Sequence, residues 1–243
     1  MNPDSKPTTS LLTIGLIGGM SWESTVPYYQ HINQAVRQQL GGLHSARIVL
    51  YSVDFHGIAQ LQRDNAWDEA GRQLASVAQK LEAAGADLLV LCTNTMHKVA
   101  DMITAATNIP LLHIADPTAA AIRQAGMQTV GLLGTRFTME QTFYRDRMQQ
   151  HGIAVLVPDT PDRDIVHRVI YKELCQGLVH DSSRREYQRI IKQLKDQGAQ
   201  AVILGCTEIS LLIGPEHAVV PLFDTTRLHA YAAASMAMAS NMD

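Results

Sequence analysis

Cys206 closes the apolar run Ala201-Val202-Ile203-Leu204-Gly205, and Thr207 and Glu208 follow it. A thiol at the carboxyl end of a buried strand, ahead of residues that favour a helix start, can have its pKa brought toward that of a general base by nearby backbone N–H groups. A second stretch, Gly85 to Thr95, carries the same Gly-Ala pair and apolar run and ends in Cys92, Thr93, Asn94 and Thr95. Laid on each other without a gap, at an offset of 113 (Gly198 on Gly85), the two stretches put Cys206 opposite Thr93 and not Cys92. Two proton-handling side chains on opposite walls of one cleft suit one reaction class: a proton leaves one face of a carbon and another returns to the opposite face. Backbone donors at the two helix starts would hold a carboxylate beside that carbon, and no cofactor is required.

The elements that must carry these residues occur twice. Thr13 to Met20 is a short apolar run broken by glycines, followed by a helix with Tyr28, Ile32, Ala35, Val36 and Leu40 on one face and Ser21 or Ser24 as its cap. Arg47 to Val53 reads as a second strand, 68–84 as a helix, the Cys92 run as a third strand, 96–106 as a helix and 110–115 as a fourth strand. At Thr129 the order restarts: Thr129 to Thr135 repeats Thr13 to Gly19 at an offset of 116, and Val220-Pro221-Leu222 repeats Ile109-Pro110-Leu111 at 111. A period of this length fits a duplicated α/β unit, not a solenoid. Alternating strands and helices call for mostly parallel sheets with helices on both faces, and ligands then sit at the carboxyl ends of the strands. The expected fold is two similar α/β domains related by a pseudo-twofold, residues 1–115 with 225–243 and residues 116–224, with the site in the cleft between them.

Composition narrows the partners. The chain has 243 residues, 46% hydrophobic and 18% charged, and its Lys+Arg count of 20 falls below its Asp+Glu count of 23. No basic footprint for nucleic acid results, and a small-molecule partner is expected. Residues 1–10 read as a loose polar leader. Leu11 to Met20 is too short to span a bilayer and lacks a basic flank, so neither a signal peptide nor a membrane partner is expected, and the cytoplasm is the expected location. Three cysteines, an odd number, favour reduced thiols.

The elements Ile14-Gly15-Leu16-Ile17-Gly18-Gly19-Met20-Ser21, Thr93-Asn94-Thr95-Met96-His97 and Gly205-Cys206-Thr207-Glu208 resemble, over nearly the whole chain, the aspartate/glutamate racemase family of pyridoxal-phosphate-independent, two-domain α/β enzymes. Leu91 to Lys98 is more closely similar to its enterobacterial branch of L-aspartate/glutamate-specific or broad-specificity amino-acid racemases. Members with two catalytic cysteines carry Cys-Asn-Thr-x-His at the first site, where Thr93 stands here and Cys92 lies one residue earlier. A one-residue shift on a strand turns a side chain to the other face, although distortion at the strand end could return Cys92 to the cleft. The resemblance implies Cys206 and Thr93 as catalytic pair, Cys92 being the alternative to Thr93, with an L-to-D bias. It also implies that Asn94, Thr95 and Thr207 hold the α-carboxylate, with Met20, Ser21, Ser52 and Glu208 near the substrate, and that the enzyme is a homodimer. Some aspartate-specific members have a lysine where Cys175 stands, so homoserine-like neutral substrates stay open beside aspartate and glutamate.

Other readings compete. Cys92 and Cys175 suit plain burial, as cysteine commonly does. The ten histidines form no close metal-ligand spacing, so no metal is expected, and His97 and His113 read as hydrogen-bonding or core residues. Gly15, Gly18 and Gly19 with Asp54 are a weak dinucleotide signal, because the Gly-x-Gly-x-x-Gly spacing is absent. A single-thiol decarboxylase of the same superfamily and a non-catalytic two-lobed binding protein would use the same duplicated cleft.

Overall fold

A computed structural model describes residues 11–239, so the expected leader at residues 1–10 lies outside the described residues. The first glycine-bounded runs form β1 (Thr13–Gly18), α1 (Trp22–Leu40), β2 (Arg47–Ser52), α2 (Phe55–Arg63), α3 (Trp67–Ala83), β3 (Leu88–Leu91), α4 (Ala100–Ala105), β4 (Leu111–Leu112) and α5 (Ala115–Gln124). The second set is β5 (Thr129–Gly134), α6 (Arg136–Glu140), α7 (Thr142–Gln150), β6 (Ala154–Leu156), α8 (Thr160–Lys172), α9 (Asp181–Asp196), β7 (Ala201–Gly205), α10 (Ile209–Leu212), β8 (Leu222–Asp224) and α11 (Thr225–Ala239).

Every strand pair is parallel, and the two four-stranded sheets share one order, β2-β1-β3-β4 and β6-β5-β7-β8. The duplication reaches the register. Ile14 pairs with Leu88 in one sheet and Val130 with Ala201 in the other, the same positions under the 116 and 113 offsets. The inner strands β1, β3 and β7 are buried throughout and β5 from Val130 onward, as parallel strands covered on both faces must be.

α1 buries the expected face, Tyr28, Ile32, Ala35 and Val36, against Ala230, Ala233 and Ala234 of α11. Gly19 makes the turn after β1 at φ 88°, and a Cβ there would stand 2.3 Å from the Val53 carbonyl oxygen, so only glycine fits. Among the described residues no helix is long and apolar enough to cross a membrane.

Three local expectations change. The fourth strand is only Leu111–Leu112, because the Ile114 N–H leaves the ladder for the Nε2 of His97 and Ala115 already begins α5. The expected helix at 96–106 splits into a 3₁₀ turn, Thr95–Val99, and α4; the His97 N–H bonds to the Asn94 carbonyl at 3.1 Å, the i to i+3 spacing of a 3₁₀ turn. Ser21 precedes α1 but makes no side-chain cap, since its hydroxyl is taken by Glu208 at 2.8 Å.

Candidate active site

β3 and β7 occupy the same place in their sheets, and the residues just past their ends line one cavity. Thr93, Asn94 and Thr95 come from the first sheet and Cys206, Thr207 and Glu208 from the second. The cavity is narrow, with a volume of only about 20 Å³. The walls are therefore nearly in contact. Side-chain hydrogen bonds hold them: Ser21 Oγ to Glu208 Oε1 at 2.8 Å, Thr95 Oγ1 to Thr135 Oγ1 at 2.9 Å, and Tyr171 OH to Gln62 Oε1 at 3.2 Å.

Glu208 is buried and is the hub of the site. Its Oε2 accepts from Cys206 Sγ at 2.9 Å and from Thr207 Oγ1 at 2.7 Å, while its Oε1 accepts from Ser21 and lies 3.7 Å from Cys175 Sγ. A buried carboxylate needs such donors, because an unpaired one would lose its hydration with no return.

The thiol of Cys206 departs from the sequence expectation. Burial first and the Glu208 charge second push it well above the ordinary thiol range, and the backbone N–H of Glu208 offsets this only in part. The physical reason is that the strand end is buried and the Glu208 carboxylate stands in direct contact with the sulfur. At rest Cys206 is a protonated thiol donating to Glu208.

The two candidates on the first wall part company. Thr93 lines the cavity, while Cys92 is fully buried in the core with Leu16, Tyr28, Ile32 and Ala233. Burial alone raises the Cys92 thiol far above its usual range. The chain past Leu91 folds into a turn, with the Thr93 N–H on the Leu91 carbonyl at 2.8 Å.

Met20 lines the cavity, and Ser21 reaches it through Glu208. Ser52 is not brought in. It sits on the exposed edge strand β2 and lines a separate surface depression with Tyr51, Asp54 and Lys80. The side-chain oxygen Oδ1 of buried Asn94 has no hydrogen-bond partner, while its Nδ2 donates to Thr225 Oγ1 at 2.9 Å. An unpaired buried acceptor on the cavity wall is suited to a ligand donor such as an ammonium group.

Several lining residues escaped sequence reasoning. Phe55 and Gln62 come from α2, whose signal was Asp54 as a cap ahead of Phe55, Ile58, Ala59 and Gln62 at helical spacing. Tyr171 comes from α8, while Cys175, which the sequence offered both as a buried thiol and as the position of a family lysine, comes from the turn after it and lines the cavity. His97, His113 and His229, far apart in sequence, meet with ring centroids 4.5 and 5.9 Å from His97. Among the described residues no group of three or more His, Cys, Asp or Glu side chains is placed to hold a metal.

Residues 17–233 match the family model described as Asp/Glu/Hydantoin racemase. A solved structure of a candidate Asp/Glu racemase from Yersinia pestis is 58% identical, with a TM-score of 0.87 over 93% of this chain and 99% of that one. An aspartate racemase homologue from Pyrococcus horikoshii OT3 is 32% identical, with a TM-score of 0.80 over 93% of this chain and 98% of that one. The broad specificity amino-acid racemase RacX of Bacillus subtilis (strain 168) is 23% identical over 216 residues, 88% of this chain and 92% of its own length.

Proposed function

The chain belongs to the Asp/Glu/hydantoin racemase family, and from that membership we propose that it racemises a free amino acid, without a cofactor, by proton transfer at Cα between Cys206 and Thr93. The observation that carries this reading is the placement of those two side chains past the ends of equivalent strands, β7 and β3, on one cavity.

Cys206 passes its thiol proton to Glu208, 2.9 Å away, and the thiolate takes the Cα proton of the L-enantiomer. Negative charge then spreads onto the substrate carboxylate, which backbone N–H groups at Thr95 and Thr207 stabilise, their hydroxyls being engaged by Thr135 and Glu208. Asn94 Oδ1 accepts from the substrate ammonium. A hydroxyl is a weak base but can relay a proton, so Thr93 delivers one to the opposite face and is reprotonated by water, while the proton held by Glu208 leaves to solvent. The maximal rate is higher from L to D, the substrate affinities compensating because the enantiomers are equally stable.

L-Aspartate and L-glutamate are the first substrates to try, given the family. A second reading has a specific observation behind it. Among the described residues lining the cavity there is no lysine or arginine, and the carboxylate of Glu208 is already present. A second substrate carboxylate in that desolvated space would lack a counter-ion, which favours a neutral polar side chain such as that of homoserine. Chiral chromatography of L-aspartate, L-glutamate and L-homoserine, incubated without pyridoxal phosphate, tests both readings. D-product from any of them supports the racemase, the preferred one identifies the side-chain class, and no D-product from any overturns it.

The same proposal divides the chain into 1–115 with 225–243 and 116–224, places the enzyme in the cytoplasm and assembles it as a homodimer, which sedimentation equilibrium would test.

A further inference from the structure

His97 is fully enclosed, and both of its ring nitrogens face backbone. Nδ1 lies 2.8 Å from the Thr93 carbonyl oxygen, and Nε2 lies 3.1 Å from the Ile114 nitrogen. A carbonyl only accepts and an N–H only donates, so the partners fix the tautomer: Nδ1 carries the hydrogen and Nε2 is bare. The ring is thus a neutral strut between the turn after β3 and the start of α5.

The strut acts where the sheet no longer does. The β3 ladder ends at Leu91, and the Cys92 N–H makes the last bond to β1, on the Ile17 carbonyl at 2.9 Å. Thr93 comes next, and its carbonyl is held by His97. The far side of the ring is held in turn. His113 packs edge-on at 4.5 Å, and His229 at 5.9 Å is fixed by Tyr28 OH at 2.9 Å and the Leu112 carbonyl at 2.9 Å. Asp116 stands beyond His113 and is paired with Arg147 and His151. The ring meets the cavity wall at the Thr93 carbonyl, and the backbone N–H of His97, which no side-chain substitution removes, is bonded to the Asn94 carbonyl at 3.1 Å.

We propose that His97 is a positioning residue for Thr93: its Nδ1–H fixes the Thr93 carbonyl and thereby the placement of the hydroxyl that serves the second face of the substrate. The inference rests on the assignment of Thr93 proposed above. Displacing that hydroxyl would spare proton removal at Cys206 and impair delivery from the other side.

The test is the ratio of D-product formed to solvent deuterium entering recovered L-substrate, measured by NMR in D₂O with whichever of the three L-amino acids turns over. In His97→Asn the side-chain amide nitrogen can stand where Nδ1 stood and keep the bond to Thr93; in His97→Gln the side-chain oxygen can keep only the bond to Ile114. The expected result is a ratio within about threefold of the unaltered enzyme for His97→Asn, and a fall of about tenfold or more for His97→Gln, toward that of Thr93→Ala. A general loss of structure would lower product and exchange together and leave the ratio unmoved. Should His97→Gln not fold, His97→Ala takes its place. If Thr93→Ala lowers the ratio and His97→Gln does not, or if His97→Asn is as low as Thr93→Ala, the role of His97 is overturned. If Thr93→Ala itself leaves the ratio unchanged, the assignment of Thr93 fails instead.

Discussion

Ser21 and Glu208, 187 positions apart in the chain, are joined by a buried hydrogen bond of 2.8 Å from the serine hydroxyl to Oε1. It links the turn after the first strand of one repeat to the strand end of the other. Glu208 is thereby held with its second oxygen on the thiol of Cys206. The contact that joins the two walls of the cavity also holds the carboxylate that meets the Cys206 sulfur.

Replacing Ser21 by alanine leaves Oε1 with only the weak, 3.7 Å donor of Cys175. A buried carboxylate oxygen deprived of its partner costs about 1–3 kcal/mol. Urea unfolding is expected to show a lower midpoint with an unchanged slope. An unchanged midpoint would mean that the bond contributes nothing to the fold.

Glu208→Gln removes the charge that, after burial, does most to hold the Cys206 thiol protonated. The midpoint of its alkylation against pH is expected to move down. Racemisation should nevertheless fall, by about 10²- to 10⁴-fold, since an amide cannot take the thiol proton. An unmoved alkylation midpoint, or full turnover, would contradict the role given to Glu208.

The buried histidines make stability depend on acid. Burial lowers His113 and His229 to about 4 each and puts His97 well below its ordinary value. In the unfolded chain these rings take up protons near pH 6.5, and in the folded one they resist until far lower. Their contribution is present in full above about pH 6.5 and is lost as pH falls toward 4, roughly 3 kcal/mol for His229. Urea midpoints at pH 7.5, 5.5 and 4.5 should fall in that order, and less steeply in His229→Asn. Equal midpoints across the series would show that these rings are not the buried neutral groups described.

Much of this could be read from the residues alone. Glycine-bounded apolar runs at offsets of 116, 113 and 111 gave the two sheets, and the paired register of Ile14 with Leu88 and Val130 with Ala201 follows from them. The same offsets put Thr93, not Cys92, opposite Cys206. What could not be read depends on side chains turning back in space. Ser21 looks like a helix cap until Glu208 claims its hydroxyl, and Cys206 looks like an acidic thiol until the same carboxylate is found against its sulfur. His97, His113 and His229 have no spacing in sequence that would predict their meeting. Gln62 was hidden because α2 is short and follows directly on an edge strand.

Loss of the Cα proton to D₂O, followed by NMR without added pyridoxal phosphate, bears most directly on the asymmetric pair. With a turned-over L-amino acid, Cys206→Ala is expected to abolish exchange, while Cys92→Ala, altering a thiol sealed in the core, leaves it within about threefold of the unaltered enzyme. Full exchange in Cys206→Ala together with its loss in Cys92→Ala would contradict the account.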